Sequence, residues 1–531
     1  MTPKPPPWRP PAWANAPLAV LAGLAAALAH PPFGILPGLL AYGAMMRLAD
    51  ADAAPRPLRS AFFRGWLAGL GYFTLCVWWV VEAFLVDAAT YGWMAPFALL
   101  FMASGLALFW GAAFWLYRLA KPRGIGRVVV FAGVLSLIEW LRGHVLTGFP
   151  WDLPGESWRA GGAVSQAAAV MGVYGLTWLT VAIGAAPAVL LDPAPRWRRG
   201  AALATAAVAL AGLAGFGADR LARAPASTGP RPMIRVVQAD IDQKEKWRPE
   251  NLDLIVDAYV RLTTAPGRSR PDVVIWPEGA LPAVINDLLA PDSPYLHRLT
   301  AALQPGQTLL LGANRAGAGP QGRAQYFNSL VAIRRDEVGL RVTGVYDKHR
   351  LVPFGEFMPA GDLAGRIGLR SLVHMPDDFT AGPEPRPISP EGVPQAQPLI
   401  CYEALFPGFT SQAARRAGSR PEWIVNVSND AWFGATSGPL QHLNLASYRA
   451  IEEGLPIVRA TPTGVSAVID AYGRTAPGAR LSMGENGFID AQLPYRLKAT
   501  LYSRTGEAIF ASMLLVSASI LGATRLFRRD S

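Results

Sequence analysis

Three short segments each set a reactive side chain just beyond an apolar run. Trp276-Pro277-Glu278-Gly279-Ala280 follows Val273–Ile275. Tyr346-Asp347-Lys348-His349-Arg350 leads on to Phe354-Gly355-Glu356-Phe357. Pro398-Leu399-Ile400 runs into Cys401-Tyr402-Glu403. A thiol attacks a carbonyl carbon once a base takes its proton or a nearby cation lowers its pKa. A glutamate in a partly dry pocket can be that base, because desolvation raises its pKa towards neutrality. A lysine presents fixed positive charge to the oxyanion of a tetrahedral intermediate. Singly, each residue has a plainer reading: an inert core thiol, a solvated turn carboxylate, and a surface cation beside Asp347 and Arg350. The chemical reading gains because all three stand at the C-terminal ends of predicted strands, the edge where α/β folds collect ligands.

Short Val/Ile-rich runs predict those strands at Met233–Ala239, Asp272–Trp276, Thr308–Ala313, Ser329–Arg334, Leu340–Tyr346, Gln397–Cys401, Trp423–Ser428, Pro456–Ala460, Val465–Asp470 and Gly487–Ala491. Helical periodicity falls at about 249–263, 292–303, 407–417 and 439–453. Some strands connect through helices and others through short turns. The expected fold is therefore an α/β sandwich with mixed sheets rather than a doubly wound sheet. No glycine-rich phosphate loop opens a helix, and no HExxH or CxxC run is present, so neither a nucleotide fingerprint nor a metal site is supported.

The remaining sequence is apolar. Half of the 531 residues are hydrophobic (51%) and only 16% are charged, against roughly a quarter in an ordinary globular chain. A disordered chain is excluded and a wholly soluble enzyme disfavoured. Two cysteines, Cys76 and Cys401, make no disulfide framework. Candidate membrane spans lie at 13–30, 33–50, 62–86, 92–118, 127–143, 162–191, 200–217 and 506–524. The first is not expected to be a removable signal peptide, since no cleavage site ends it and a second span follows at once. The expected domains are a membrane domain with seven spans at 1–217, a soluble catalytic domain at 218–503, and a last span with its tail at 504–531.

Basic residues cluster in alternate connections: Lys4 and Arg9; Arg47, Arg56, Arg59 and Arg64; Arg118, Lys121, Arg123 and Arg127; Arg196, Arg198 and Arg199; Arg525, Arg528 and Arg529. With eight spans, all fall on one side, which the positive-inside rule makes cytoplasmic. Both termini are then inside and the soluble domain outside. The net charge of +11 becomes partly a topogenic signal, and nucleic acid is not expected as a partner. Glu82 and Glu139 fall within or beside apolar spans. An intramembrane acid invites a functional reading, but one that bonds a neighbouring helix or reaches the interface is the simpler account.

The Glu, Lys and Cys segments resemble the nitrilase, or carbon–nitrogen hydrolase, superfamily in their order and flanking residues. Thr147-Gly148-Phe149-Pro150-Trp151, Lys348 to Glu356, Cys401-Tyr402-Glu403, Ser428-Asn429-Asp430-Ala431-Trp432-Phe433-Gly434 and the spans around the domain look more closely like the bacterial apolipoprotein N-acyltransferase family. The resemblance covers essentially the whole chain. It implies an αββα sandwich on a multi-span scaffold in the bacterial inner membrane, with the catalytic domain in the periplasm. It implies Glu278 as general base, Lys348 as oxyanion cation and Cys401 as nucleophile. Glu356 is implied as a supporting glutamate, Tyr402 and Glu403 as residues shaping the pocket, and Trp247 as a lipid-contacting loop residue. Trp432 and Phe433 are expected, with Trp247, to bind substrate; the loops Trp432-Phe433 and Phe354–Met358 read equally as lids and as ordinary core or interfacial anchors. The implied reaction moves an acyl chain from a phospholipid, through a Cys401 thioester, to the α-amino group of a diacylglyceryl-cysteine on an apolipoprotein. No cofactor is implied, and the partners are those two substrates and membrane lipids. The alternative is a membrane-tethered amidase with water as acceptor. A transporter or receptor is a further rival, disfavoured because no internal repeat is evident. Asn314, Asn429, His442 and Arg449 are left without a role, each able to line the pocket or merely bond backbone.

Overall fold

The computed structural model describes residues 15–51, 56–224, 229–267, 269–319, 323–359 and 377–526. Lys4, Arg9, Arg528 and Arg529 lie outside them. The chain divides into two compact units, Met1–Ala224 with Thr500–Ser531, and Pro225–Ala499.

The first unit is helical. Each of the eight apolar stretches contains helix, but they are unequal. Among the described residues, Ala88–Ala120, Val164–Leu191 and Arg196–Ala222 are long and apolar enough to cross a membrane, while Asn15–Ala27 and Ala508–Ala523 are shorter apolar helices. Arg127–His144 has 18 residues but includes Arg127, Glu139 and Arg142. Packing is close because glycines face neighbouring backbones. A Cβ on Gly71 would lie 2.3 Å from the carbonyl oxygen of Val20, and one on Gly69 would lie 2.9 Å from Ala107 Cα. Glu139 is fully buried and accepts from the Trp110 indole of another helix at 2.6 Å, while pairing with Arg142 one turn along its own helix.

The second unit holds two mixed sheets. The first has strands β1 (Met233–Gln238), β2 (Val273–Trp276), β3 (Thr308–Ala318), β4 (Ala324–Arg335), β5 (Leu340–Asp347) and β11 (Gly487–Gln492), in the order β11-β1-β2-β3-β4-β5. The second has β6 (Ala396–Ile400), β7 (Trp423–Val427), β8 (Ile457–Ala460), β9 (Ser466–Ile469) and β10 (Thr475–Leu481), in the order β10-β9-β8-β7-β6. Alternation along the strands builds two cores. Ile234, Val236, Val273, Ile275, Leu310 and Leu330 meet Ile400, Val425, Val427 and Val458 between the sheets. Val237, Val274, Trp276, Leu309 and Leu311 point the other way, onto the helices Leu252–Thr264 and Pro294–Ala302. Helices Phe409–Ala417 and Gly438–Glu453 connect the parallel strands β6, β7 and β8.

All ten predicted strands are present. β10 is not among the predicted strands, because its Thr475-Ala476-Pro477-Gly478 start reads as a turn. It is an edge strand with an irregular register, the setting in which a sheet tolerates proline. Strands β3 and β4 form a hairpin longer than predicted, because its outer half carries Asn314, Arg315 and Gly317 rather than apolar residues.

Candidate active site

β1, β2 and β3 run parallel, and two antiparallel steps bring β5 round to the same sense. The chain leaving β2 carries Glu278 and the chain leaving β5 carries Lys348, so both emerge at one edge of the first sheet. β6 ends at Ile400, immediately before Cys401 in the second sheet. Gly312 on β3 sets the height of the glutamate. A Cβ there would stand 2.4 Å from the carbonyl oxygen of Pro277 and 2.6 Å from Glu278 Cα, so only glycine lets the loop lie this close.

Lys348 is buried. Its Nζ lies 3.2 Å from Glu278 Oε1 and 3.0 Å from Glu356. Burial works against its charge, but the two carboxylates more than offset that and raise its pKa, so it stays an ammonium. Asn328 of β4 joins the two acids. Its Nδ2 donates to Glu278 Oε1 at 2.6 Å and to Glu356 Oε1 at 2.7 Å, and its backbone carbonyl accepts the Lys348 backbone N–H at 2.8 Å. Glu278 Oε2 accepts the Asn429 N–H at 2.6 Å from the loop after β7. One carboxylate thus ties the edges of both sheets together. Val352 N–H holds Glu356 Oε2 at 2.8 Å.

Cys401 has φ of 48°, a left-handed conformation that a residue with a Cβ seldom adopts. Such strain costs on the order of 1–3 kcal/mol and collects at functional positions. The residue keeps some exposed surface. Burial nevertheless pushes the thiol up to about 12; the Glu278 charge adds to this, while Lys348 and a hydrogen bond with Ser428 pull it back. The resting group is therefore a thiol, in the electrostatic field of both Glu278 and Lys348. Its turn is clamped by Glu403, which is buried. Glu403 Oε2 accepts from Ile400 N at 2.8 Å, and Oε1 accepts from Tyr346 Oη at 2.8 Å, His349 N at 2.8 Å and Arg350 N at 3.2 Å. The cysteine's turn and the lysine's loop share one carboxylate. Tyr402 is buried against Phe406, ring centroids 5.1 Å apart.

The family model for carbon–nitrogen hydrolases matches residues 233–500, and the model for the apolipoprotein N-acyltransferase N-terminal domain matches residues 22–186. Over 527 residues, 98% of this chain and 96% of the relative, the chain is 55% identical to the apolipoprotein N-acyltransferase of Caulobacter vibrioides. The chain belongs to the apolipoprotein N-acyltransferase family. Family members from Bradyrhizobium diazoefficiens (38% identity, 97% of this chain and 95% of the relative) and Brucella melitensis (40%, 91% and 90%) are also similar. A solved amidase from Nesterenkonia sp. aligns over 54% of this chain and 98% of its own at 21% identity, with a TM-score of 0.34. The acyltransferase family and the carbon–nitrogen hydrolase match make this membrane protein an enzyme with a nitrilase-like α/β domain.

The residues expected to touch substrate are less tightly grouped. Trp247 is half-buried, with Lys246 Nζ 5.5 Å from its ring centroid. Trp432 and Phe433 are half-buried in the turn Asp430–Phe433, and Phe433 meets His442 edge-on at 5.7 Å. Phe354 is exposed.

Of the four residues without a role, Asn429 enters the site through its backbone, and Asn314 sits opposite Asn328 in the β3–β4 register. Arg449 bonds the Leu405 carbonyl at 3.1 Å and pairs with Glu452 at 3.1 Å. His442 belongs to a network behind the nucleophile. Its Nδ1 is 3.0 Å from Asp430 Oδ1, and its ring also reaches the Cys401 backbone. Asp430 accepts from Ser428 Oγ at 2.8 Å and from Arg459 at 2.9 and 2.7 Å. Burial alone would raise Asp430, yet Arg459 and His442 hold its carboxyl well below the usual range. Burial, then the Arg459 charge, lower His442, so its imidazole is neutral near pH 7. Asn328 and Arg459 carry no local signal in the sequence, because each acts through partners far away in the chain; Asp430 and His442 stand in the sequence reading without a role.

Proposed function

We propose that the protein transfers a fatty-acyl chain from a phospholipid, through a thioester on Cys401, to the α-amino group of the diacylglyceryl-cysteine at the N-terminus of an apolipoprotein. The observation that carries this is the shared cluster of Glu278, Lys348 and Glu356 beside a strained Cys401, in a chain of this family. Glu278 is the base. A thiol pushed up to about 12 carries little thiolate at neutral pH, so proton removal accompanies attack. Sγ bonds to the ester carbonyl carbon as its proton passes to Glu278. The oxyanion is held by the Lys348 ammonium. Collapse expels the lysophospholipid alkoxide, which takes the proton back from Glu278. The acceptor amine then gives a proton to Glu278 and attacks the thioester, and Cys401 leaves as thiolate and regains that proton. Glu356 keeps Lys348 from collapsing fully onto the base. Tyr402 and Glu403 hold the turn, and Trp247, Trp432 and Phe433 contact lipid at the entrance.

Both substrates carry fatty chains, so a site near the lipid surface lets neither leave the bilayer. In this reading all eight apolar stretches cross the inner membrane, the basic connections stay in the cytoplasm, and the domain 218–503 faces the periplasm. Amine must outcompete water for the thioester, so water is kept from the pocket.

Mass spectrometry of full-length protein incubated with phosphatidylethanolamine tests the reading. The expected result is a fatty-acyl adduct on Cys401, absent in Cys401→Ala and discharged onto a diacylglyceryl lipopeptide. Release of free fatty acid with no transfer to the lipopeptide would assign the amidase-like hydrolase instead.

A further inference from the structure

The short turn Gln243–Lys246 carries two buried donors that the acyl-transfer steps leave unused. Lys246 is 2% exposed. Its Nζ stands 3.3 Å from the point that a Cβ on Gly279 would occupy, next to Glu278, whose charge acts on it. Among the described residues, this ammonium has no hydrogen-bonded or ion-paired partner, and the Trp247 ring centroid lies 5.5 Å from it. Gln243 is 5% exposed, and its Oε1 accepts from Asn429 Nδ2 at 3.3 Å. That bond fixes the amide orientation and leaves Nε2 buried without an acceptor. The two side chains are three positions apart on one helical turn and so share a face. Both flank the same contact, in which Asn429 N–H meets Glu278.

A largely buried ammonium without a hydrogen-bonded counter-ion and a buried amide nitrogen without an acceptor are each costly. Burial draws Lys246 down to about 8 against the pull of Glu278, which registers that cost. An oxygen-bearing anion placed between the two donors would remove both penalties. The acyl donor brings one such group with its ester. We propose that Gln243 and Lys246 form a subsite for the phosphodiester of the donor phospholipid, on the Gly279 side of Glu278. This rests on the acyl-transfer reading above and deepens it. The subsite would select phosphate-bearing esters and set the register of the glycerol backbone, so that the acyl carbonyl reaches Cys401.

The test compares phosphatidylethanolamine with diacylglycerol of the same chains, presented to full-length protein in mixed micelles, with the Cys401 acyl adduct as readout. Wild type is expected to prefer the phospholipid. Lys246→Met and Gln243→Leu should each shrink that preference about tenfold, the worth of one hydrogen bond to a charged group. Lys246→Arg should restore it. Equal use of both lipids by wild type would overturn the subsite. So would equal proportional losses with both lipids in the variants, or an unchanged preference in both variants. If wild type gains no adduct from either lipid, the acyl-transfer reading itself falls, and the subsite with it.

Discussion

Each unit of this protein buries carboxylates, and the two uses differ in stoichiometry. In the helical unit, Glu139 has one cation, Arg142, and an indole donor from Trp110. Arg142 spends its other donors on the carbonyls of Phe149 and Trp151. Acid and base match one to one, and the group is closed. In the α/β unit, Glu278 and Glu356 share a single lysine and a single asparagine nitrogen. A thiol stands in their field with its proton still attached. Both acids bond that one ammonium, while the Lys246 charge acts on Glu278 from outside the hydrogen-bonded group, so the cluster is left open. Buried charge is therefore a poor mark of function by itself. The mark is an open cluster beside a strained nucleophile.

Cys401→Ala is the sharpest challenge. It should abolish the acyl adduct and lower transfer by at least 10⁴-fold, on the order seen when a covalent nucleophile is removed. A full adduct in this variant would break the contrast at its root. Next comes Glu278→Gln, which keeps the shape and loses the base. Transfer should fall about 10²–10⁴-fold while the thermal midpoint changes little. Near-normal transfer would put the proton elsewhere.

Asn328→Leu removes the nitrogen shared by the two acids. We expect kcat to fall about tenfold to a hundredfold, with KM for the lipid less affected, since two hydrogen bonds to charged groups are lost. An unchanged kcat would show that the lysine alone sets the geometry. A further test uses the thiol itself. With Cys401 pushed up to about 12, its alkylation by iodoacetamide should climb steadily from pH 6 to pH 9 without a plateau, as thiolate grows about tenfold per pH unit. A plateau near neutrality would reveal a thiolate already formed. The smallest expected effect on activity belongs to the closed group. Trp110→Phe should cost about 1.5–3 kcal/mol of stability, seen as a lower unfolding midpoint, with transfer per folded molecule retained. Loss of transfer in well-folded Trp110→Phe would erase the distinction between the two clusters.

Legibility followed the same divide between local and distant information. Strands β1 to β9 and β11 were readable because burial between a sheet and a helix layer imposes Val/Ile-rich runs. β10 was not, since Pro477 and Gly478 mark turns locally and become acceptable only at a sheet edge. Glu278, Lys348, Cys401 and Glu356 were readable as types in position. Glu403 was expected to shape a pocket, and its side chain pins the backbones of the cysteine's turn and the lysine's loop. Eight apolar stretches were also legible, but the three helices of full crossing length among the described residues show that apolar composition alone does not set helix length.

Taken by itself, the sequence determined which side chains end the strands and in what order, because strand periodicity and end residues are encoded within a few positions of one another. Only the tertiary structure decided that these ends converge. Glu278 meets Asn328 across 50 residues and Asn429 across 151, and no local pattern records such distances. A hydrogen bond forms only within about 3 Å. That proximity is set by how two twisted sheets pack over a common core, a property of the whole unit and of no single segment.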